Sequence, residues 1–202
     1  MRFHHFIKDA LKDTAHMACL KQLKNQPGLS GRELAKLAGV SQFKIRGVLD
    51  HLTHHGFLKK RIVGRSHLYD LNRRHFLIEK ITPLLEVEEN FFSLVGSWTL
   101  NRLSPRPLSV ILFGSVAREE ERPDSDVDLL LVFKKIDSEE KLLDKIQDRL
   151  SDSLEYFGNR FAPVLATTKD FQKAIKGRDP LFLGILKEGL VIAGATMNEV
   201  LL

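Results

Sequence analysis

The sequence predicts a mixed α/β (α+β) chain in two parts. An N-terminal set of short helices closed by a β-hairpin precedes a small mixed sheet flanked by helices. Three observations lead there. Charge is segregated: residues 1–76 carry fifteen Lys/Arg against five Asp/Glu, residues 77–104 two against four, and residues 105–202 fourteen against seventeen. Two short helical patterns with capping residues precede two β-rich runs around a glycine turn. Two apolar strand patterns bracket Gly-Ser and Asp-x-Asp, with ten residues between Ser115 and Asp126. The expected division is therefore residues 1–76, a helical connector at 77–104, and residues 105–202.

Composition narrows the class. The 202 residues are 43% hydrophobic and 28% charged, a globular balance that excludes a disordered tail protein. The single cysteine, Cys19, cannot close an intrachain disulfide or build a cysteine zinc site, which fits a reducing cytoplasm. The apolar runs are short and broken by charge, so no membrane span is expected, and the first residues lack a signal peptide's apolar core. The whole-chain charge of +5 hides a module of +10 joined to one of −3.

Taken in order, Phe6, Ile7, Leu11, Ala15, Met17, Ala18, Leu20 and Leu23 follow helical spacing, so a first helix is expected over 6–25, stopped by Asn25-Gln26-Pro27-Gly28. Ser30 and Glu33 form a capping-box pattern for a second helix that buries Leu34, Leu37 and Ala38 and stops at Gly39. Ser41 caps a third, with Phe43, Ile45, Val48, Leu49 and Leu52 as its inner face, ending at Gly56. Residues 57–63 and 67–71 then read as strands around Gly64-Arg65-Ser66. His51 and His55 share a helical face. Without an acidic or cysteine partner they read as a wet helix end rather than a metal site.

Two helices joined by Ala38-Gly39-Val40-Ser41 and followed by a basic hairpin resemble the winged helix-turn-helix family over about residues 15–72. The resemblance implies binding of double-stranded DNA. Ser41, Gln42, Lys44 and Arg46, at the start of the recognition helix, would address the major groove. Lys59, Lys60, Arg61 and Arg65 on the wing would meet phosphates or the minor groove, with steep salt dependence. Protein interaction or dimerisation is the other use of such a module.

Residues 73–104 show two apolar stripes: Phe76, Leu77, Ile81, Leu84 and Leu85, then Phe91, Phe92, Leu94, Val95, Trp98 and Leu100. They would pack two domains together or pair two subunits as a homodimer. Leu103-Ser104-Pro105-Arg106-Pro107 breaks the pattern.

The chemistry lies in residues 108–133. A strand at 108–113, a turn at Gly114-Ser115, a helix over 116–121, a Pro123-Asp124-Ser125 turn and a strand at 127–133 are expected. Gly114 lets backbone approach a ligand, and free N–H groups at the helix start suit a phosphate. Asp126 and Asp128, two apart on a strand, point to one side. Paired carboxylates among apolar neighbours ask for a hard divalent cation, Mg²⁺ or Mn²⁺.

This segment resembles the DNA polymerase β-type nucleotidyltransferase superfamily, and within it the minimal nucleotidyltransferases. The pattern GSxARGExxPDSDxDL is matched by Gly114, Ser115, Ala117, Arg118, Glu120, Pro123, Asp124, Ser125, Asp126, Asp128 and Leu129. The resemblance implies metal and catalysis at Asp126 and Asp128. It also implies a nucleoside triphosphate such as ATP held by Gly114, Ser115, Arg118 and Ser125. The implied reaction transfers a nucleoside monophosphate to an acceptor hydroxyl, with a partner protein such as a HEPN-type ribonuclease toxin among the acceptors. The chain departs from the pattern at Glu119, where the family usually has Gly. It departs again on the strand expected at 160–166, which has no Asp or Glu where a third carboxylate would act as general base. A helix near 138–157 precedes that strand, and two short helices (169–176 and 180–189) and a last strand (190–193) follow it, with Arg178 and Lys187 read as solvated cations. Three readings follow: a metal-dependent transferase coupled to DNA binding, a DNA-binding regulator that senses nucleotide or a partner protein without turnover, and a purely structural adaptor.

Overall fold

A computed structural model describes residues 14–122 and 124–201. The described chain divides into two compact units, one ending at Glu89 and the other beginning at Asn90.

The N-terminal unit runs α1 (Thr14–Asn25), β1 (Leu29–Ser30), α2 (Gly31–Leu37), α3 (Gln42–His54), β2 (Leu58–Val63), β3 (Ser66–Leu71) and α4 (Phe76–Glu89). The part of the first helix expected over 6–13 lies outside the described residues. Capping follows the sequence closely. The Ser30 hydroxyl accepts from Glu33 N while the Glu33 carboxylate accepts from Ser30 N at 2.8 Å. Ser41 Oγ likewise accepts from Lys44 N. Gly39 and Gly56 take left-handed φ values of 65° and 74° and release the chain from α2 and α3. β1, too short to read from sequence, pairs with β3, giving a three-stranded antiparallel sheet of order β1-β3-β2. This is winged helix-turn-helix topology.

Its core is Leu20, Leu23, Leu34, Ile45, Leu49 and Leu52 with neighbours from β2, β3 and α4. Cys19 is fully buried there, and burial pushes its thiol up to about 12, so it is an inert packing residue. Four residues expected on apolar faces of this unit face water instead. Leu37 is exposed because α2, only seven residues long, turns Ala35 inward in its place. Phe76 and Leu84 are exposed because α4 packs through Ile78 and Leu85. Phe43, expected on the inner face of α3, is 90% exposed, since Ile45 and Val48 define a stripe that excludes it.

The C-terminal unit runs α5 (Phe91–Arg102), β4 (Ser109–Phe113), α6 (Gly114–Ala117), β5 (Val127–Phe133), α7 (Glu139–Leu150), α8 (Ser153–Phe157), β6 (Phe161–Thr167), α9 (Thr168–Lys176), α10 (Pro180–Glu188), β7 (Leu190–Gly194) and α11 (Met197–Leu201). The expected connector at 77–104 thus supplies α4 to one unit and α5 to the other. The sheet order is β6-β5-β4-β7, with β5 and β6 parallel and the other pairs antiparallel. The long helix expected near 138–157 is broken into α7 and α8, and α11 is an addition. The short helix after Gly114 covers one turn at 114–117 rather than 116–121, because Glu119 enters the left-handed region at φ 59°.

Both central strands are buried along their length, which explains their unbroken apolar runs. Trp98 of α5 packs on Phe157 and Phe161 with ring centroids at 5.1 and 5.6 Å, fixing α5 to the sheet. Gly96 allows α5 to lie against β7, where a methyl group would collide with the Ile192 carbonyl.

Candidate functional site

The acidic corner is built by strand register. β4 and β5 pair so that Phe113 stands opposite Asp128 and Leu112 opposite Leu129. At the end of β4 the chain leaves the sheet through Gly114, whose φ of 73° is left-handed. A Cβ at Gly114 would collide with the Asp128 carboxylate. Glycine is therefore required twice, by backbone conformation and by the approach of an acid.

Asp126 immediately precedes β5 and Asp128 lies two residues on. Val127 between them is buried on the opposite face. Asp126 is exposed and Asp128 half-buried. The Asp128 carboxyl is pushed above the ordinary carboxylate range, first by burial and then by the charge of Asp126, against partial relief from Arg118. Two acids in that state favour a cation. Among the described residues no three His, Cys, Asp or Glu side chains form a complete metal cage. The donor set is two hard carboxylates, which suits an ion that takes its remaining ligands from phosphate and water.

The other expected nucleotide contacts divide. Ser115 sits in the first turn of α6, whose leading N–H groups have no intrahelical acceptor. Arg118 closes that turn and is held by acids, with Nε 2.8 Å from Glu120 and a guanidinium nitrogen 3.9 Å from Glu188. Ser125 is turned into its own loop: its Oγ accepts from Arg122 N at 2.9 Å. Pro123 lies outside the described residues.

Two features here escaped sequence reading. Asn159, 3% exposed, donates from Nδ2 to the Ser125 carbonyl at 2.7 Å and so fixes the loop that delivers Asp126. In sequence Gly158-Asn159 is only a helix stop, and Gly158 does take φ 81°. A pocket of about 250 Å³ opens beside Gly114, lined by Phe113, Arg118, Leu181, Ile185 and Glu188. Its far wall is α10, nearly seventy residues beyond Gly114 in the chain, so local spacing could not reveal it.

β6 runs parallel to β5 with Ala162 opposite Asp128 and Val164 opposite Leu130. The strand reads FAPVLAT, so the place where the family resemblance implies a third carboxylate is apolar.

In the N-terminal unit, α3 and the hairpin bound a groove of about 480 Å³. It brings together Gln42, Arg46 and Lys60 with two residues not singled out in sequence, Arg32 and His67. Lys60 pairs with Tyr69 across the hairpin, and both line the groove. Arg61 is on the opposite strand face, with Nε 2.7 Å from Asp70. Lys59 shares the Arg61 face by alternation, Arg65 lies at the exposed wing tip, and Lys44 is exposed on α3. Ser41 spends its hydroxyl on the helix cap. The His51 and His55 rings lie 4.6 Å apart.

Residues 99–160 match the nucleotidyltransferase domain family. No curated protein matches the chain. Solved structures similar to it include proteins described as transcriptional regulators. An E. coli protein described as a predicted DNA-binding transcriptional regulator is 20% identical, with a TM-score of 0.34, over 40% of this chain and 82% of that one. A MarR-family transcriptional regulator from Silicibacter pomeroyi is 23% identical, with a TM-score of 0.36, over 44% of this chain and 63% of that one. Bordetella bronchiseptica BpsR, whose DNA binding is regulated by 6-hydroxynicotinic acid, is 24% identical, with a TM-score of 0.34, over 44% and 67%. Among the described residues no helix is long and apolar enough to cross a membrane.

Proposed function

We propose that this chain, which joins a winged helix-turn-helix unit to a nucleotidyltransferase domain, transfers a nucleoside monophosphate from a nucleoside triphosphate to an acceptor hydroxyl and couples that chemistry to duplex DNA. The observation that carries the reading is the fit of Gly114 against Asp128 with Asp126 beside it. Backbone that can cradle phosphate meets two acids whose charge asks for a cation at a single corner. Asp126 and Asp128 would hold Mg²⁺ or Mn²⁺, which when bound offsets the phosphate charge and polarises the reacting phosphorus.

The chain's own groups do the rest. The N–H groups opening α6 and the Ser115 hydroxyl face the triphosphate oxygens. Arg118 exchanges its contacts with Glu120 and Glu188 for phosphate. Asn159 holds the loop so that Asp126 does not drift. The acceptor oxygen bonds to the α-phosphorus, the bond to the β-phosphate bridge breaks, pyrophosphate leaves, and the hydroxyl proton passes to water. A hydroxyl on a partner protein, including a HEPN-type toxin, is the acceptor class to try first.

A second reading rests on β6: with Ala162 opposite Asp128, the site would bind nucleotide and report it to DNA without turnover. Labelled nucleoside triphosphate, Mg²⁺ and candidate acceptors are incubated with the full chain, and nucleotide binding is followed by calorimetry. Label transfer that Asp126→Asn and Asp128→Asn each lower by roughly a hundredfold or more supports the enzyme. Binding without transfer supports the sensor, and neither binding nor transfer sinks both.

A further inference from the structure

Phe43 is the anomaly of the N-terminal unit. Its ring is 90% exposed in the first turn of α3, while Ile45, Val48, Leu49 and Leu52 of the same helix fill the core. Nothing in folding calls for a phenyl ring there, since a polar residue would solvate the position better. Its surroundings are polar and cationic. Gln42 precedes it, Lys44 follows it, and Arg46 lies one turn on, above the groove that Arg32 and Lys60 share. Gly47, four residues after Phe43 and so on the same helical stripe, has open space where a side chain would stand. The stripe thus offers a projecting ring and then bare backbone, flanked by positive charge.

That combination selects an occupant. An apolar pocket on a protein would leave the flanking lysine and arginines without partners, whereas the wall of a DNA groove is lined with phosphates. A helix entering the major groove does so with its first residues. The apolar group displayed there is the thymine 5-methyl, and adenine presents an N6/N7 edge that matches a glutamine amide.

We propose that Phe43 and Gln42 read an A·T step in the major groove, with Phe43 packed on the thymine methyl and Gln42 hydrogen-bonded to adenine. The inference rests on the DNA-binding half of the function proposed above. Phe43 sets sequence preference, while Arg46 and Lys60 supply affinity for any duplex.

The test uses the full chain and a randomised duplex library. Sequences retained by the wild type should share an A·T position. Replacing that thymine by uracil, which removes one methyl group, should weaken wild-type binding about threefold to fivefold. Phe43→Ala should weaken binding to the thymine duplex by roughly tenfold and bind the thymine and uracil duplexes equally. Because Phe43 lies outside the core, Phe43→Ala should keep the wild-type melting temperature, which separates lost reading from lost folding. Duplex binding without a recurrent A·T position, or a uracil penalty that persists in Phe43→Ala, overturns the inference and leaves DNA binding standing. Retention of no duplex at all overturns both.

Discussion

The two units handle charge in opposite ways. In the C-terminal corner, the proposed function rests on backbone: a register that puts Phe113 opposite Asp128, a left-handed Gly114, and a carboxylate lying where a methyl group would be. On the N-terminal face, the proposed duplex binding rests on side chains projecting from a well-capped scaffold. Arg32, Arg46, Lys60 and His67 come from four different elements, α2, α3, β2 and β3, so each would act on its own. The acidic corner should therefore fail as a unit, whereas the basic face should weaken in steps, because phosphate contacts add nearly independently.

The sharpest way to break this comparison is at the acids. Asp126→Asn or Asp128→Asn should each lower nucleotidyl transfer by roughly a hundredfold to a thousandfold, the scale of losing one electrostatic contact to the transition state, measured by label transfer at fixed acceptor. A graded, few-fold loss would place the corner in the additive class. Next is Gly114→Ala. It combines a left-handed backbone with a collision against Asp128, and should cost about 2–3 kcal/mol by chemical denaturation while removing nucleotide binding by calorimetry. Normal stability with lost binding would mean that the collision is relieved by moving Asp128 alone.

What the sequence disclosed follows the same division. The corner was legible because Gly-Ser and Asp-x-Asp lie within one strand–turn–strand, where spacing dictates geometry. Asn159 and the α10 wall of the pocket were not, because a buried asparagine and a distant helix leave no local trace. The helix caps at Ser30 and Ser41 were legible because capping needs only a side chain and the next turn. Phe43 faces water although it falls at near-helical spacing with the core residues, because that spacing does not distinguish an inner ring from an outer one where the neighbouring Ile45 fits the core better. The departure at Glu119 has a physical meaning that only the backbone shows: it occupies the left-handed φ of 59° that glycine adopts at little cost.

Smaller effects sharpen the comparison from both sides. Arg46→Ala and Lys60→Ala should each weaken duplex binding several-fold and reduce the slope of log affinity against log salt by about 1. Arg61→Ala should leave that slope unchanged, because Arg61 is committed to Asp70 on the other strand face. Equal slopes for Lys60→Ala and Arg61→Ala would remove the assignment of faces. Glu119→Gly should stabilise the C-terminal unit by about 0.5–1 kcal/mol, the left-handed penalty of a side chain less the entropy that glycine adds to the unfolded chain, read as a rise in melting temperature.

The finest test concerns pH. Asp128 holds its proton more tightly in the folded corner than in the unfolded chain, through burial and then Asp126. Below the ordinary Asp range both states are protonated and the group contributes nothing. As pH rises from that range through the raised folded value, the folded state resists ionisation, so local stability falls and stays lower above it. Amide exchange at Leu112 and Leu129, which face each other across the ladder, reports this corner without unfolding the other unit. Protection of these amides should drop as pH rises through that window. Mg²⁺ should restore it by favouring the ionised pair, and Asp128→Asn should flatten the profile. A flat profile in the wild type would mean that solvent already screens the pair. The corner would then be another exposed charged surface, no different in kind from the basic face.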